Sequence, residues 1–317
     1  MNFSALLSTI ATLFVILIVG YIAGKTGIID SIASKRLSKL IINIAQPALI
    51  ISSIVKMQYS AENLSIGLKT LALGFAVHLF MGAVAFLACI KIKTLDERKI
   101  LEFSMVFGNT GFIGIPIMES LFGDIGAFMA SFIVICFNIL MWTLGIAILG
   151  RKRNDIKLTL KKAFINKGTV PSAIGLIVFL IPSFAPSFRL PEFALSSLSY
   201  IASLCTPVSM LIIGALLAGR TAGQIFGSLK IYYLCLFKLV IIPLSVCVIM
   251  KILGFGDMWI LFATALTSMP SATSVSMLTE LYDISPGFSA QGVGTSSLLS
   301  IATMPCVIFL AQKIIEL

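Results

Sequence analysis

The sequence predicts an all-α integral membrane protein of ten transmembrane helices, arranged as two inverted five-helix repeats in which helices 4 and 9 are broken and cross. Of the 317 residues, 58% are hydrophobic and 11% are charged, a balance that soluble domains of this length do not have. At about 20 residues per span, this length accommodates about ten spans with short loops. Two of the apolar segments also contain interruptions, and a pair of interrupted helices is typical of secondary transporters.

The ten predicted spans are apolar runs separated by loops that contain most of the charged residues. No Lys or Arg precedes the first run, so we interpret it as a retained helix and not as a signal peptide. In chain order the spans are Phe3–Gly24, Leu37–Val55, Ile66–Ile90, Ile100–Phe122, Ile125–Gly150, Val170–Ser183, Phe193–Gly219, Leu229–Leu253, Met258–Tyr282 and Phe288–Ile315.

The distribution of basic residues predicts the orientation. Seventeen of the 23 Lys and Arg residues lie in or at the edges of the loops after helices 1, 3, 5 and 7, and five lie on the opposite side. By the positive-inside rule, the odd-numbered loops are cytoplasmic and both termini are extracytoplasmic, in a multi-pass protein of the cell membrane. Because topology explains the net charge of +10, we expect the lipid bilayer as a partner and no nucleic acid. The sequence is also compatible with a homodimer.

Pairs of similar residues recur at a constant spacing along the chain and predict that it consists of two repeats. Pro47 and Pro207 are 160 positions apart, and so are His78 and Lys238. We therefore predict a first repeat at residues 1–150, a basic cytoplasmic connector at 151–167 and a second repeat at 168–317. Since each repeat has an odd number of helices, the second copy enters the membrane from the opposite side.

The first interruption lies in helix 4, where the sequence FGNTGFIGIP contains three glycines and a proline. Such a composition would cost a regular helix several kcal/mol, so we expect the chain to be unwound from Asn109 to Pro116. The residues that we expect at a binding site here are Asn109, Thr110, Gly111, Gly114 and Pro116.

The second interruption lies in helix 9, where TSMPSATSVS places a proline among six hydroxyl residues. The expected binding residues are Ser268, Pro270, Ser271 and Thr273. A proline at the first position of a helix loses no hydrogen bond, so Pro116 and Pro270 suit the starts of two half-helices. Those starts carry free amides and positive dipole ends, which would receive an anion such as a carboxylate.

Polar residues in other spans extend the candidate site. Asn43 and Gln46 in helix 2 and Ser209 in helix 7 either line the pocket or repair the backbone around prolines. Lys238 in helix 8 is a buried ionisable residue that balances an anionic substrate, pairs with a carboxylate, or replaces a bound cation and links transport to protons. His78 is either a packing residue or a second coupling group.

Neither catalysis nor metal binding is predicted. The sequence has no HExxH or GxSxG motif, and its six cysteines lie singly in apolar segments. We therefore expect no enzyme activity, no catalytic residue, no metal ligand and no cofactor.

Several segments resemble the auxin efflux carrier family: GNTGFIGIPIMESLFGD in helix 4, CTPVSMLIIGALLAG in helix 7, FKLVIIPL in helix 8, and SMPSATSVSML with ELYD in helix 9. The resemblance covers essentially the whole chain and is to the compact prokaryotic type. It implies a fold similar to the bile acid sodium symporters, with helices 1, 2, 6 and 7 as scaffold and helices 3–5 and 8–10 as transport domain. It also places Asn109, Pro116 and Pro270 at the centre of the site.

The expected function is a permease or efflux carrier that moves a small organic anion by alternating access around the crossover. In sodium-coupled relatives of the fold that the resemblance implies, carboxylates and amides ligate the cation, and no acid lies around Pro270. We therefore expect transport that does not require sodium. An ion channel and a membrane receptor that binds without transport are the alternatives.

Overall fold

The computed structural model of the chain describes residues 3–153, 165–166, 168–219, 221, 223 and 227–317. These ranges form twelve helices and contain no β-strand, only one isolated bridge between two loop residues. The helices are α1 Phe3–Lys25, α2 Ser31–Val55, α3 Ala61–Cys89, α4 Leu95–Val106, α5 Thr110–Phe122, α6 Asp124–Leu149, α7 Thr169–Phe184, α8 Glu192–Ala218, α9 Leu229–Ile252, α10 Asp257–Thr267, α11 Thr273–Leu281 and α12 Pro286–Glu316.

The all-α prediction is confirmed. Eight predicted spans coincide with one helix each, and predicted helices 4 and 9 are each divided into two, α4 with α5 and α10 with α11. By length and composition, seven helices in the described ranges are able to cross a bilayer: α1, α2, α3, α6, α8, α9 and α12. Most of the predicted connector at 151–167 lies outside the described residues.

Four of the helices contain a five-residue π-helical turn: Ile41–Ala45 in α2, Thr110–Gly114 in α5, Met141–Gly145 in α6 and Phe237–Ile241 in α9. Three of these turns end two residues before a proline, at Pro47, Pro116 and Pro243. Proline lacks an amide hydrogen and cannot make the regular bond to the carbonyl four residues back. The wider turn lets the preceding residue bond five residues back, as Ile242 does to Phe237.

The chain divides into two units. The first consists of Met1–Gly74, Gly111–Ile139 and Lys161–Arg220. Its tightest packing joins α1 to α8, because a Cβ on Gly20 would lie 2.4 Å from the Leu211 carbonyl oxygen. Buried residues of α2 and α8, including Ile41 and Cys205, form a core cluster of this unit.

The second unit consists of Phe75–Thr110, Leu140–Leu160 and Thr221–Leu317. Here α12 packs against α4, α9, α10 and α11, and α9 also packs against α10. The unit therefore contains α4 with the break that follows it, both halves of predicted helix 9, and the helix that carries Lys238. Each unit draws residues from both sequence halves, and the division at 1–150 and 168–317 stays a prediction.

Candidate functional site

Two unwound segments of the second unit lie side by side and are hydrogen-bonded to each other. The first follows α4, and the second lies between α10 and α11. Gly108 and Ser271 face each other in an antiparallel bridge. The amide of Asn109 donates to the carbonyl of Pro270 at 2.8 Å, and the amide of Ala272 donates to the carbonyl of Phe107 at 2.9 Å. Each unwound segment thus provides hydrogen-bond partners for backbone groups of the other, and buried backbone groups need such partners.

Serine hydroxyls support this bridge. Ser271 Oγ donates to the Ser104 carbonyl at 3.1 Å, and the Ser271 amide donates to Ser296 Oγ at 3.2 Å. All three serines are fully buried, and the Ser104 hydroxyl has no hydrogen-bond partner in the described part of the chain. Ser268 instead donates to the Ala265 carbonyl of its own helix. Sequence reasoning did not identify Ser104, because nothing local marks it.

The positions of the two half-helix starts correct the sequence interpretation. We expected the break to extend from Asn109 to Pro116, with prolines at both starts. Instead α5 begins at Thr110 and α11 begins at Thr273, each two residues after a bridge residue. Pro116 follows the π-helical turn inside α5, and Pro270 lies within the unwound segment. The break is shorter than predicted because the bridge satisfies its backbone and the π-helical turn accommodates Pro116.

Lys238 lies in the π-helical turn of α9 and is fully buried. Its Nζ lies 3.9 Å from the Met81 sulfur, a weak acceptor. A Cβ placed on Gly108 would lie 3.2 Å from the same nitrogen, so the ammonium group is directly beside the bridge. No carboxylate of the described residues lies within 4.0 Å of it.

His78 also lies close to the unwound segment after α4. It is 1% exposed, and its ring lies 6.1 Å from the Phe107 ring, centroid to centroid. His78 and Met81 are three residues apart on α3 and so occupy neighbouring positions on one helix face. The two ionisable residues that the sequence singled out therefore both lie close to the unwound segment after α4.

The acidic residues described for this unit lie away from the bridge. Asp96 and Glu97 are near the start of α4, where they pair with Lys99 and Lys230. Glu102 is held by two arginines. The others are exposed: Asp257, Glu280, Asp283 and Glu316. Within the described ranges, no three His, Cys, Asp or Glu residues are grouped so that they could hold a metal ion.

The first unit contains the remaining predicted site residues. Gln46 packs on Gly111, since a Cβ there would lie 2.6 Å from the Gln46 amide nitrogen. The Asn43 amide donates to the Lys39 carbonyl and Ser209 donates to the Cys205 carbonyl, both within their own helices. Gly114 ends the π-helical turn of α5. Contact of any of these residues with a substrate stays a prediction.

Comparisons with known proteins agree with the membrane character of this fold. The family model described as membrane transport protein matches residues 5–308. An uncharacterized transporter of Methanocaldococcus jannaschii is 26% identical over 93% of this chain and 96% of its own length. A Rhizobium meliloti protein with the name "Putative malonate transporter" is 22% identical over 95% of this chain and 94% of its own length.

Proposed function

The chain belongs to the membrane transport protein family, and on that premise we propose that it is a secondary transporter of a small organic anion. Its resemblance to auxin efflux carriers is confirmed at the level of the family, and it is a multi-pass membrane protein. The proposal concerns what the family does not fix: the charge of the substrate, the residues that bind it and the transport mechanism.

One observation supports an anionic substrate above all. A fully buried ammonium, that of Lys238, lies beside two paired helix breaks and has no carboxylate partner among the described residues. A buried charge is costly unless another charge or polar groups compensate it. A bound carboxylate would compensate it, and we assign that role to the substrate.

The start of α11 supplies further groups that favour an anion. Its first amides have no carbonyl four residues back in their own helix, and a helix N-terminus carries a partial positive charge. With the side chain of Asn109 they offer neutral donors to a carboxylate, and hydrogen bonds to an ionised acceptor are about twice as strong as neutral ones. The charge of Lys238 and the directional hydrogen bonds from these donors would together favour a carboxylate.

The bridge also bears on the proposed inverted repeat. Helix α5 begins at a threonine two residues after Gly108, and α11 begins at a threonine two residues after Ser271. On this matched position of the two breaks we propose that ten helices cross the membrane in two inverted copies. In our proposal both termini are extracytoplasmic, and the site opens alternately to the two sides.

We further propose that transport does not require sodium. The second unit offers no carboxylate near the bridge in its described part, and the buried amine of Lys238 lies there instead. The membrane potential and the substrate gradient would then drive transport, together with protons if Lys238 or His78 titrates during the cycle.

Reconstitution in proteoliposomes tests the proposal. Malonate is the first probe, because one relative carries that substrate in its name, and aryl carboxylates are the second. We expect saturable uptake that accelerates when the same acid is present on the far side and that persists in sodium-free buffer. Flux that does not saturate would indicate a channel. Binding without flux would indicate a receptor, and a strict sodium requirement would contradict the coupling proposal.

A further inference from the structure

A buried ionic cluster lies near one end of the second unit, away from the bridge. Its centre is Glu102 in α4, which is 2% exposed. Arg98 Nε donates to one carboxylate oxygen at 2.7 Å. Arg151, which follows α6, donates through both terminal nitrogens at 3.1 and 2.7 Å. Three charge-assisted hydrogen bonds thus converge on one carboxylate.

An aromatic ring orders the two guanidinium groups of this cluster. Arg98 and Arg151 both lie over the Phe86 ring, at 5.2 and 5.7 Å from its centroid. The hydrogen bond from Arg151 to Glu102 raises the pKa of the Arg151 guanidinium. The cluster joins the end of α3, the middle of α4 and the segment that follows α6.

The helix that carries Glu102 is the one that leads into the bridge. Phe107 follows Glu102 by five residues, which corresponds to about 7.5 Å along a helix axis. Since α4 ends there, no continuing helical turn holds its last residues in place. Their position depends on side-chain contacts, such as the Phe103 ring, which lies 4.7 Å from the Phe107 ring and fills the space beside Gly145.

We propose that Glu102 and Arg151 are positioning residues for the bridge. The bidentate pair fixes α4 to the end of α6, and α4 in turn fixes the Phe107 carbonyl and Gly108 opposite Ala272 and Ser271. The cluster acts through α4 and touches no substrate. No local pattern marks this pair, because Arg151 lies 49 positions from Glu102 and the two meet only in the fold.

Arg98 provides a matched control. Arg98→Gln and Arg151→Gln each remove one positive charge, one ion pair with Glu102 and one contact with Phe86. Only Arg151 makes its ion pair between two separate helical elements, whereas Arg98 pairs within α4, four residues from Glu102. The two changes are alike in charge, although Arg151 donates two hydrogen bonds to Glu102 and Arg98 donates one. Positioning of α4 therefore predicts a larger effect of Arg151→Gln at the bridge.

Hydrogen exchange of the full chain in detergent micelles tests the proposal without any substrate. In Arg151→Gln, we expect the peptides that contain the amides of Asn109 and Ala272 to exchange about tenfold faster or more. We expect a smaller effect in Arg98→Gln, and unchanged exchange within α12 in both variants. Equal effects of the two variants, unchanged bridge peptides, or faster exchange throughout the unit would each overturn the proposal.

A conservative variant covers the case in which Arg151→Gln does not fold. Lysine keeps the charge but cannot donate two parallel hydrogen bonds as a planar guanidinium does, so Arg151→Lys should accelerate exchange at the bridge more than Arg98→Gln does. Exchange equal to that of the wild type or of Arg98→Gln would overturn the proposal. Because transport is not measured, this result is independent of the proposed function.

Discussion

The backbone amide of Asn109 donates a 2.8 Å hydrogen bond to the carbonyl of Pro270, a residue 161 positions later in the chain. Together with the hydrogen bond from the Ala272 amide to the Phe107 carbonyl, it provides partners for backbone groups in both unwound segments. In a membrane an unsatisfied backbone group costs several kcal/mol. A change in the backbone at one break should therefore also disturb the other break.

The orientation of the chain can be tested by labelling single cysteines in a cysteine-free background. We expect an impermeant maleimide to label residues 256 and 317 on intact cells and residue 91 only after permeabilisation, since basic loops stay in the cytoplasm. The native residues at all three positions are exposed. A cytoplasmic residue 317 would contradict the proposed topology and, with it, the inverted repeat.

Alanine at Gly108 tests the closeness of Lys238 to the bridge. The new Cβ would lie 3.2 Å from Lys238 Nζ, so the ammonium has to move by a few tenths of an ångström. We expect transport to fall several-fold, measured as initial uptake in proteoliposomes. Gly82→Ala is the matched control, because its Cβ would meet only Leu144 at 3.4 Å and alanine favours a helix by up to about 1 kcal/mol. Equal activity of the two variants would contradict this geometry.

Alanine at Pro243 tests the role of the π-helical turn that contains Lys238. The restored amide could bond four residues back and tighten the turn, which would rotate Lys238 relative to Pro243 by about 100°. We expect transport to be lost while the melting temperature stays the same or rises, since alanine is the better helix former. Wild-type transport in Pro243→Ala would show that the turn is not needed.

Much of the fold could be predicted from the sequence, because hydropathy depends on local composition. The predicted ends of the helices agree with the structure to within a few residues for most spans, and both breaks were expected where glycine, proline and serine interrupt apolar runs. The π-helical turns also have a local signal, since three of the four precede a proline.

The errors concern features that depend on contacts distant in sequence. The break after α4 is shorter than predicted because its length is set by bonds to Pro270 and Ala272, and these have no local signature. Ser104 and Glu102 were missed for the same reason. A buried acid looks unfavourable in an apolar helix until the fold supplies its arginines.

Methionine at Lys238 tests whether the ammonium binds the substrate. We expect Lys238→Met to lose measurable binding of the transported acid, because the buried counter-charge is removed while the length of the side chain is roughly kept. Lys251→Met on the same helix is the control, since that lysine only caps the Ile314 carbonyl. Retained binding with an altered pH dependence of transport would instead assign Lys238 to proton coupling.

The most direct test of the anion site is the affinity of Asn109→Ala for the acid that gives the strongest counterflow, measured by equilibrium dialysis of the purified protein. Removing a hydrogen bond to a charged acceptor costs about 1.5 to 3 kcal/mol, and 1.4 kcal/mol is a factor of ten. We therefore expect Kd to rise about tenfold or more. Asn138→Ala, at a buried asparagine that bonds its own helix, should keep the wild-type Kd. A wild-type Kd in a folded Asn109→Ala protein would contradict the account, because the paired breaks would then not be the binding site.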